Sequence, residues 1–314
     1  LIDLRFKSGL GSVCKMMRFI PSRITLKRIF KTIYISVFIF IFCLIILHIF
    51  FPLKPSIEYS TTITDAKGEV IHAFLNKGDK WRMKIEQTEI SPLLKKTILL
   101  KEDRYFYYHP GINLVSLIRS VLKNTYSRKR MSGASTITMQ VAKLLEPKRR
   151  TYIGKLIEIF RAFQLEWRYS KDEIFSMYIN LLPYGSNVEG IKSASVLYFQ
   201  KNPSKLSLAE IVALSIIPNR PTSLKIGTSN IYIEKERNRW LRKWLKEKVF
   251  TEKEIRDAMS EPFSAKRIEA PKFAPHLSLK LKKEHHKANI ETFLDMNTQW
   301  KLEKIISDYV KGVG

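Results

Sequence analysis

The hydrophobic positions change rhythm several times along the chain. From Ile33 to Phe51 they are almost continuous (IYISVFIFIFCLIILHIFF), with Ser36 and His48 as the polar exceptions and no Asp, Glu, Lys or Arg. A helix of that length spans about 28 Å, close to the hydrocarbon thickness of a bilayer. A buried core helix would show a polar face, so the run predicts a transmembrane anchor. Residues 57–86 then read as strands: IEYSTTIT, a turn at Asp65-Ala66-Lys67-Gly68, and EVIHAFL, the signature of a short β-hairpin. From about Ser91 to Glu261 apolar residues recur at three- and four-residue spacing, as in KLIEIFRAFQLEWRYS and KDEIFSMYINLL, which predicts helices. Turn signals at His109-Pro110-Gly111, Pro183-Tyr184-Gly185 and Pro218-Asn219-Arg220-Pro221 separate them. Residues 229–258 read as one more charged helical stretch, and Glu261–Pro275, with three prolines, as a linker. The stretch Val115–Lys129 interleaves Val115, Leu117, Ile118, Val121 and Leu122 with Arg and Lys. It is either an ordinary amphipathic helix packed on the core or one that dips into the membrane interface.

Charge fixes an orientation for the anchor. Arg5, Lys7, Lys15, Arg18, Arg23, Lys27, Arg28 and Lys31 precede it, opposed only by Asp3, so the N-terminus is expected in the cytoplasm and everything after Pro52 outside. No small-x-small cleavage site follows the run, which therefore reads as an uncleaved anchor rather than a signal peptide. The whole chain carries 55 Lys+Arg against 29 Asp+Glu, formally +26. Either the surface is simply basic and solvated, or it serves an anionic partner: nucleic acid, lipid head groups or a pyrophosphate. A basic body outside the membrane argues against nucleic acid. The 45% hydrophobic content excludes a disordered chain. Cys14 and Cys43 lack metal or redox spacing, and a cysteine-free body suits an exported domain without disulfides as well as many cytosolic proteins.

Three segments could carry chemistry. Glu102-Asp103 closes an apolar helical stretch and is followed by aromatics, His109 and a Pro-Gly turn. A carboxylate at the edge of such a cluster is partly desolvated, which would raise its pKa and sharpen it as a base; an acidic helix cap would look the same. Glu158 follows Lys143, Arg149, Arg150 and Lys155, an arrangement suited to a phosphate leaving group or a metal, and equally to a solvated salt-bridge face. Ser132-Gly133-Ala134-Ser135-Thr136-Ile137-Thr138-Met139-Gln140 opens a helix with small hydroxylated residues, as an anion site or an N-cap would. No Walker lysine follows, which excludes a nucleotide P-loop.

Taken together these segments resemble the glycosyltransferase domain of class A penicillin-binding proteins and the monofunctional peptidoglycan glycosyltransferases. The motif E-D-x-x-F-x-x-H-x-G is met by Glu102, Asp103, Phe106, His109 and Gly111. The motif G-x-S-T-I-T-x-Q-x-x-K is met by Gly133, Ser135, Thr136, Ile137, Thr138, Gln140 and Lys143. Arg150, Lys155, Glu158, Ala162 and Leu165-Glu166 resemble a third block, and Ile174, Tyr178, Asn180 and Gly185 a fourth. Gly190-Ile191, Ala194, Tyr198-Phe199 and Leu206 to Glu210 continue in the same order. Within the family the 1C subgroup is the nearer match, through Lys80-Trp81-Arg82, Thr138-Met139-Gln140 and the run from Arg150 to Lys155. Three positions depart from the usual pattern: Leu144 where Asn is common, Gln200 in place of a glycine, and Gly154 where many members carry arginine.

The resemblance implies a mainly α, lysozyme-like glycosyltransferase domain, preceded by a transmembrane helix and a short β-hairpin. The expected division is a cytoplasmic basic tail (1–32), the anchor (33–51), the hairpin lead-in (52–88), the glycosyltransferase domain (89–262), and a linker with the start of a truncated transpeptidase-like region (263–314). No S-x-x-K lies in the transpeptidase-like region 263–314 (Ser12 to Lys15 is upstream of the anchor), so no transpeptidase activity is expected from it. The implied reaction polymerises lipid II onto a growing glycan on undecaprenyl pyrophosphate, at a bacterial inner membrane. Glu102 is implied as the base and Glu158 as the second catalytic carboxylate. Asp103, His109, Ser135, Thr136, Gln140, Lys143, Arg150 and Lys155 are implied as substrate-binding residues. A divalent cation, Mg²⁺ or Mn²⁺, is the cofactor left room for, with no organic cofactor; other cell-wall enzymes are the expected partners. A lysozyme-like lytic enzyme and a catalytically inactive membrane-anchored scaffold are the rival classes; the cations from Lys143 to Lys155 argue against the first, intact Glu102 and Glu158 against the second.

Overall fold

The computed structural model describes residues 23–116, 118, 135–149 and 151–313. The basic tail over 1–22, most of the Val115–Lys129 stretch, Ser132-Gly133-Ala134 and Arg150 lie outside the described residues. The chain divides into two compact units, Leu1–Leu53 and Lys54–Gly314.

The first unit contains helix α1 (Arg23–Phe50). Its portion Phe30–Phe50, with a mean hydropathy of 2.9, is long and apolar enough to cross a membrane by length and composition. Phe38, Phe42 and Ile49 are all exposed along it, a surface that water disfavours.

The second unit is mostly helical with a small sheet. Strands β1 (Thr62–Thr64) and β2 (Val70–Ala73) form the antiparallel hairpin, with Thr62 opposite Ala73 and Ile63 opposite His72. Asp65 closes the turn by accepting from the backbone N–H groups of Lys67 and Glu69, each at 2.8 Å. Helix α2 (Pro92–Glu102) starts where Ser91 accepts from Leu94 N–H and Pro92 fills the first turn, and stops where Asp103 leaves helical geometry. Helices α3 (Ile137–Leu145), α4 (Tyr152–Arg168), α5 (Lys171–Leu181), α6 (Ile191–Phe199) and α7 (Leu208–Ile216) follow. Capping boxes open α5 (Ser170 with Glu173) and α7 (Ser207 with Glu210), each satisfying two orphan N–H groups.

Every residue of α7 is buried. It is the axis of the core: Leu208, Val212 and Ile216 pack with Leu241 and Trp244 of α8 (Asn230–Lys246) and Ile255 of α9 (Glu252–Ser260). Each such apolar side chain contributes roughly 1.5–3 kcal/mol of burial. The stretch read as one helix over 229–258 is two. Lys248 takes a left-handed φ of 53°, Phe250 turns into the core, and Thr251 with Glu254 builds a new capping box. Burial of Phe250 overrides the helical periodicity there.

The prolines of Glu261–Pro275 hold an extended segment against the body. Ile268 N–H donates to Leu197, Ala73 N–H to Pro271, and Phe273 N–H to Ile71, at 2.9–3.1 Å. Helix α10 (Pro275–Glu284) then leads to β3 (Asn289–Glu291), which pairs in parallel with β1 and gives the sheet order β2-β1-β3. Ile63, Ile71 and Ile290 share one small core. The last described element is α11 (Met296–Val313). The hairpin was legible, and so were a short strand and helix near Thr292–Gln299; the parallel pairing of that strand with β1, more than two hundred residues away, was not.

One of the three departures from the family pattern has a local cause, and a second has a local cost. A Cβ on Gly154 would meet the Arg149 carbonyl oxygen at 2.4 Å, so the tight entry into α4 requires glycine. Gln200 ends α6 in the left-handed region (φ 56°, ψ 36°), where a side chain costs about 1–2 kcal/mol and glycine does not. Gln200→Gly is therefore expected to stabilise the fold by about 0.5–1 kcal/mol after allowing for the looser unfolded chain, measurable as a higher denaturation midpoint. For Leu144 nothing in the structure explains the change.

Candidate active site

The site is built around the C-terminal end of α2 and the N-terminal end of α3. Glu102 is the last residue of α2, its side chain only 10% exposed. Its carboxylate accepts from Lys101 Nζ, from Gln140 Nε2 at 3.0 Å and from Asn219 Nδ2 at 3.1 Å. Lys101 itself is 3% exposed, so this ion pair is almost dry. Burial pushes the Glu102 carboxyl up, but the Lys101 ammonium and the three hydrogen bonds outweigh it, and the group sits below the usual carboxylate value. The sequence reading expected the opposite direction from desolvation alone; the lysine next door reverses it. The group is therefore a desolvated carboxylate held charged, able to accept a proton once substrate displaces one of its donors.

Asp103 points the other way. It accepts from His109 Nε2 at 3.0 Å and from the backbone N–H of Ile137, the first residue of α3, at 3.1 Å. Thr136, the N-cap of α3, donates to the Gly111 carbonyl at 2.5 Å and accepts from Met139 N–H. Gly111 needs to be glycine: its φ is +82°, and a Cβ would press on Glu166 Cγ at 3.0 Å. Asp103, His109 Nε2 and Thr136 are thus turned on one another and on the backbone, while the buried His109 Nδ1 has no hydrogen-bond partner among the described residues. They brace the two motifs together and fix where Glu102 and Gln140 stand.

On α4, Lys155 Nζ donates to Glu158 at 2.9 Å and to Ser135 at 2.6 Å, just before the α3 N-cap. Glu158 is 14% exposed and Lys155 40%, so the lysine faces out while its carboxylate partner stays sheltered. Lys143, three residues past Gln140 on α3, is exposed with no ion-pair partner among the described residues. Helix α3 thus links both carboxylates, Glu102 through Gln140 and Glu158 through Ser135 and Lys155. Tyr178 on α5 lies 3.5 Å from Gln140 Oε1, and burial together with the Glu102 charge pushes its hydroxyl well above its ordinary value, so it stays a neutral donor.

Sequence reasoning missed Lys101 and Asn219. The first was visible only as the neighbour of Glu102, the second only as part of a Pro-Asn-Arg-Pro turn. Both also open onto a cleft of about 640 Å³ whose far wall is α8. Among the described residues no three His, Cys, Asp or Glu side chains gather to hold a metal, and the Glu158 and Asp103 carboxylates are already engaged.

Comparison with known proteins supplies the remaining context. A family model described as Transglycosylase matches residues 67–245. Penicillin-binding protein 1C of Escherichia coli (strain K12) is 32% identical over 242 residues, which cover 77% of this chain and 31% of that protein. Penicillin-binding protein 4 of Bacillus subtilis (strain 168) is 31% identical over 208 residues, 66% of this chain and 33% of its own. Penicillin-binding protein 1A of Neisseria gonorrhoeae is 32% identical over 66% of this chain and 26% of its own. The chain spans about a third or less of the length of these relatives. A crystal structure of penicillin-binding protein 1A from Haemophilus influenzae aligns at 17% identity and a TM-score of 0.38, covering 73% of this chain and 24% of that one, too loosely to bear on the fold.

Proposed function

The chain belongs to the transglycosylase family, and from that premise we propose that it is a peptidoglycan glycosyltransferase that polymerises lipid II at the outer face of a bacterial cytoplasmic membrane. The observation that carries the reading is the state of Glu102: sheltered from water, yet kept ionised by Lys101, Gln140 and Asn219. A carboxylate in that state is a base. The lysozyme-like lytic alternative needs a protonated acid at neutral pH, which means a raised pKa, and Glu102 is shifted the other way.

In the proposed step the acceptor 4-hydroxyl oxygen attacks the anomeric carbon of the donor, and its proton passes to Glu102. The new C–O bond forms as the bond to the pyrophosphate oxygen breaks, with the electron pair leaving on undecaprenyl pyrophosphate. Attack from the face opposite the leaving group converts an α-linkage to a β-1,4 bond. Lys155 of α4, together with Lys143 of α3, would offset the charge that develops on the pyrophosphate, and Glu158 keeps the Lys155 ammonium in place. Arg150 is proposed for the same task on the strength of the motif alone. No step requires a protein-bound metal; a Mg²⁺ or Mn²⁺ ion taking part would arrive on the substrate's pyrophosphate. Helix α1, with its basic flank, is proposed as a single-pass anchor with its N-terminus in the cytoplasm.

The test is polymerisation of labelled lipid II by the full chain in detergent. Glycan longer than the disaccharide supports the reading. A well-folded protein that makes none refutes it and brings forward an inactive scaffold that recruits other cell-wall enzymes.

A further inference from the structure

The α8 wall of the cleft beside Glu102 takes no part in the step above and is rich in cations. Lys235, Arg239 and Arg242 lie at i, i+4 and i+7 on α8, which puts all three on one face and spreads them over roughly 10 Å of helix. Arg220 faces them from the turn after α7. One acid shares the lining, Glu236, and it is taken by Arg239 at 3.1 Å. Lys235, Arg242 and Arg220 are exposed and have no carboxylate partner among the described residues. Trp240 also lines the cleft, half-buried, its ring 4.6 Å from Lys243 Nζ and 5.7 Å from Lys101 Nζ. Three uncompensated cations in one cleft cost stability by mutual repulsion unless an anion visits.

The shape of the row narrows the ligand. A phosphate or pyrophosphate is compact and is held by donors that converge on one point. Here Lys235, Arg239 and Arg242 are strung along a helix, with Trp240 also lining the cleft. That suits a ligand whose negative charges are spaced along its length, and an acidic peptide is one. The cleft begins at Lys101 and Asn219, which touch the Glu102 carboxylate itself, so a group that enters it lies next to the substrate whose hydroxyl Glu102 would deprotonate.

We propose that the cleft between the turn at Arg220 and the Lys235–Arg239–Arg242 face of α8 binds the carboxylates of the acidic peptide carried by the acceptor sugar. The proposal rests on the glycosyltransferase reading for the identity of the acceptor, though binding of the peptide does not depend on turnover. The row then selects acceptors by their peptide charge, while Glu102 performs the same chemistry on any of them.

The experiment uses the full chain in detergent, wild type and the K235Q/R239Q/R242Q variant, with two acceptors: one with free peptide carboxylates and one with those carboxylates amidated. The wild type is expected to show a KM about tenfold lower for the acidic acceptor, with kcat little different, and the variant to lose that preference. The charge-conserving K235R/R239K/R242K variant, melting like the wild type, is expected to keep most of it. Fluorescence titration with the soluble disaccharide-peptide, free of lipid, reads binding without catalysis, and inorganic pyrophosphate is added as competitor. Loss of peptide binding in the glutamine variant, with no polymerisation by the wild type on any substrate, would support the cleft while sinking the glycosyltransferase reading. A wild type that does not discriminate the two acceptors overturns the proposal, and so does displacement of the peptide by pyrophosphate at equal concentration.

Discussion

Glu102→Gln is expected to lower polymerisation by about a thousandfold while leaving the fold intact, because general base catalysis contributes typically 10²–10⁴. The amide keeps the size of the carboxylate and its single oxygen can still accept from either Gln140 Nε2 or Asn219 Nδ2, which now donate to different carboxylate oxygens at 3.0 and 3.1 Å. What it loses is the charge. The Lys101 ammonium then stands buried without its anion, so a modest fall in stability should accompany the loss of rate. The check is single-turnover glycan synthesis alongside thermal melting. A rate within tenfold of wild type in a well-folded variant removes Glu102 from the role of base and turns attention to another group.

The second large effect is expected from Lys101→Met, which keeps the length of the side chain and removes its charge. Breaking a buried pair by deleting one partner costs about 3–5 kcal/mol, and here the partners are 3% and 10% exposed. The pH dependence should change sign as well. In the wild type the folded-state pKa of Glu102 is depressed, so its contribution to stability is present above the unfolded value and lost as pH falls through the folded one. In the variant, burial is opposed only by two neutral amides, and the folded pKa is expected to rise above the unfolded one. Stability should then fall as pH increases from about 4.3, the unfolded glutamate value, towards neutrality. Activity should follow, with its acidic limb displaced to higher pH. Denaturation at several pH values from acid to neutral reads both slopes, and parallel curves for the two proteins would show that Lys101 does not hold Glu102 ionised.

How much of this could be read from residues alone depended on the range of the interaction. Helix α1 was legible because a continuous apolar run needs no partner to be recognised. The hairpin followed from a turn and two β-branched runs, all local. The candidate base was legible because Glu102 and Gln140 belong to motifs in a fixed order, although the contact between them spans 38 positions and has no local trace. The direction of its pKa was misread because Lys101, adjacent in sequence, was not weighed, and the fold buries it against the carboxylate. Asn219 was read as turn punctuation; only packing of α7 brings it to the site. The break at Lys248 escaped because burial of Phe250 overrides a helical period that runs through it. Asp103, His109 and Thr136 came with the motifs, but that they brace the site could be seen only from their partners.

The parallel pairing of β1 with β3 has a consequence for how the protein can be cut and how it is made. The Transglycosylase match ends at 245, and every candidate catalytic residue lies before it, yet Ile63 on β1 is covered by Ile290. A shortened version ending near 262 would keep all the chemistry and leave a strand edge bare, the kind of edge along which chains stick to one another. The same geometry sets an order of events in biosynthesis. The hairpin is among the first parts of the body to be synthesised, but its sheet waits for more than two hundred further residues before its last strand arrives. Until then the nascent domain has an open flank, and a holding factor or rapid completion of synthesis would decide whether it is filled by the right strand.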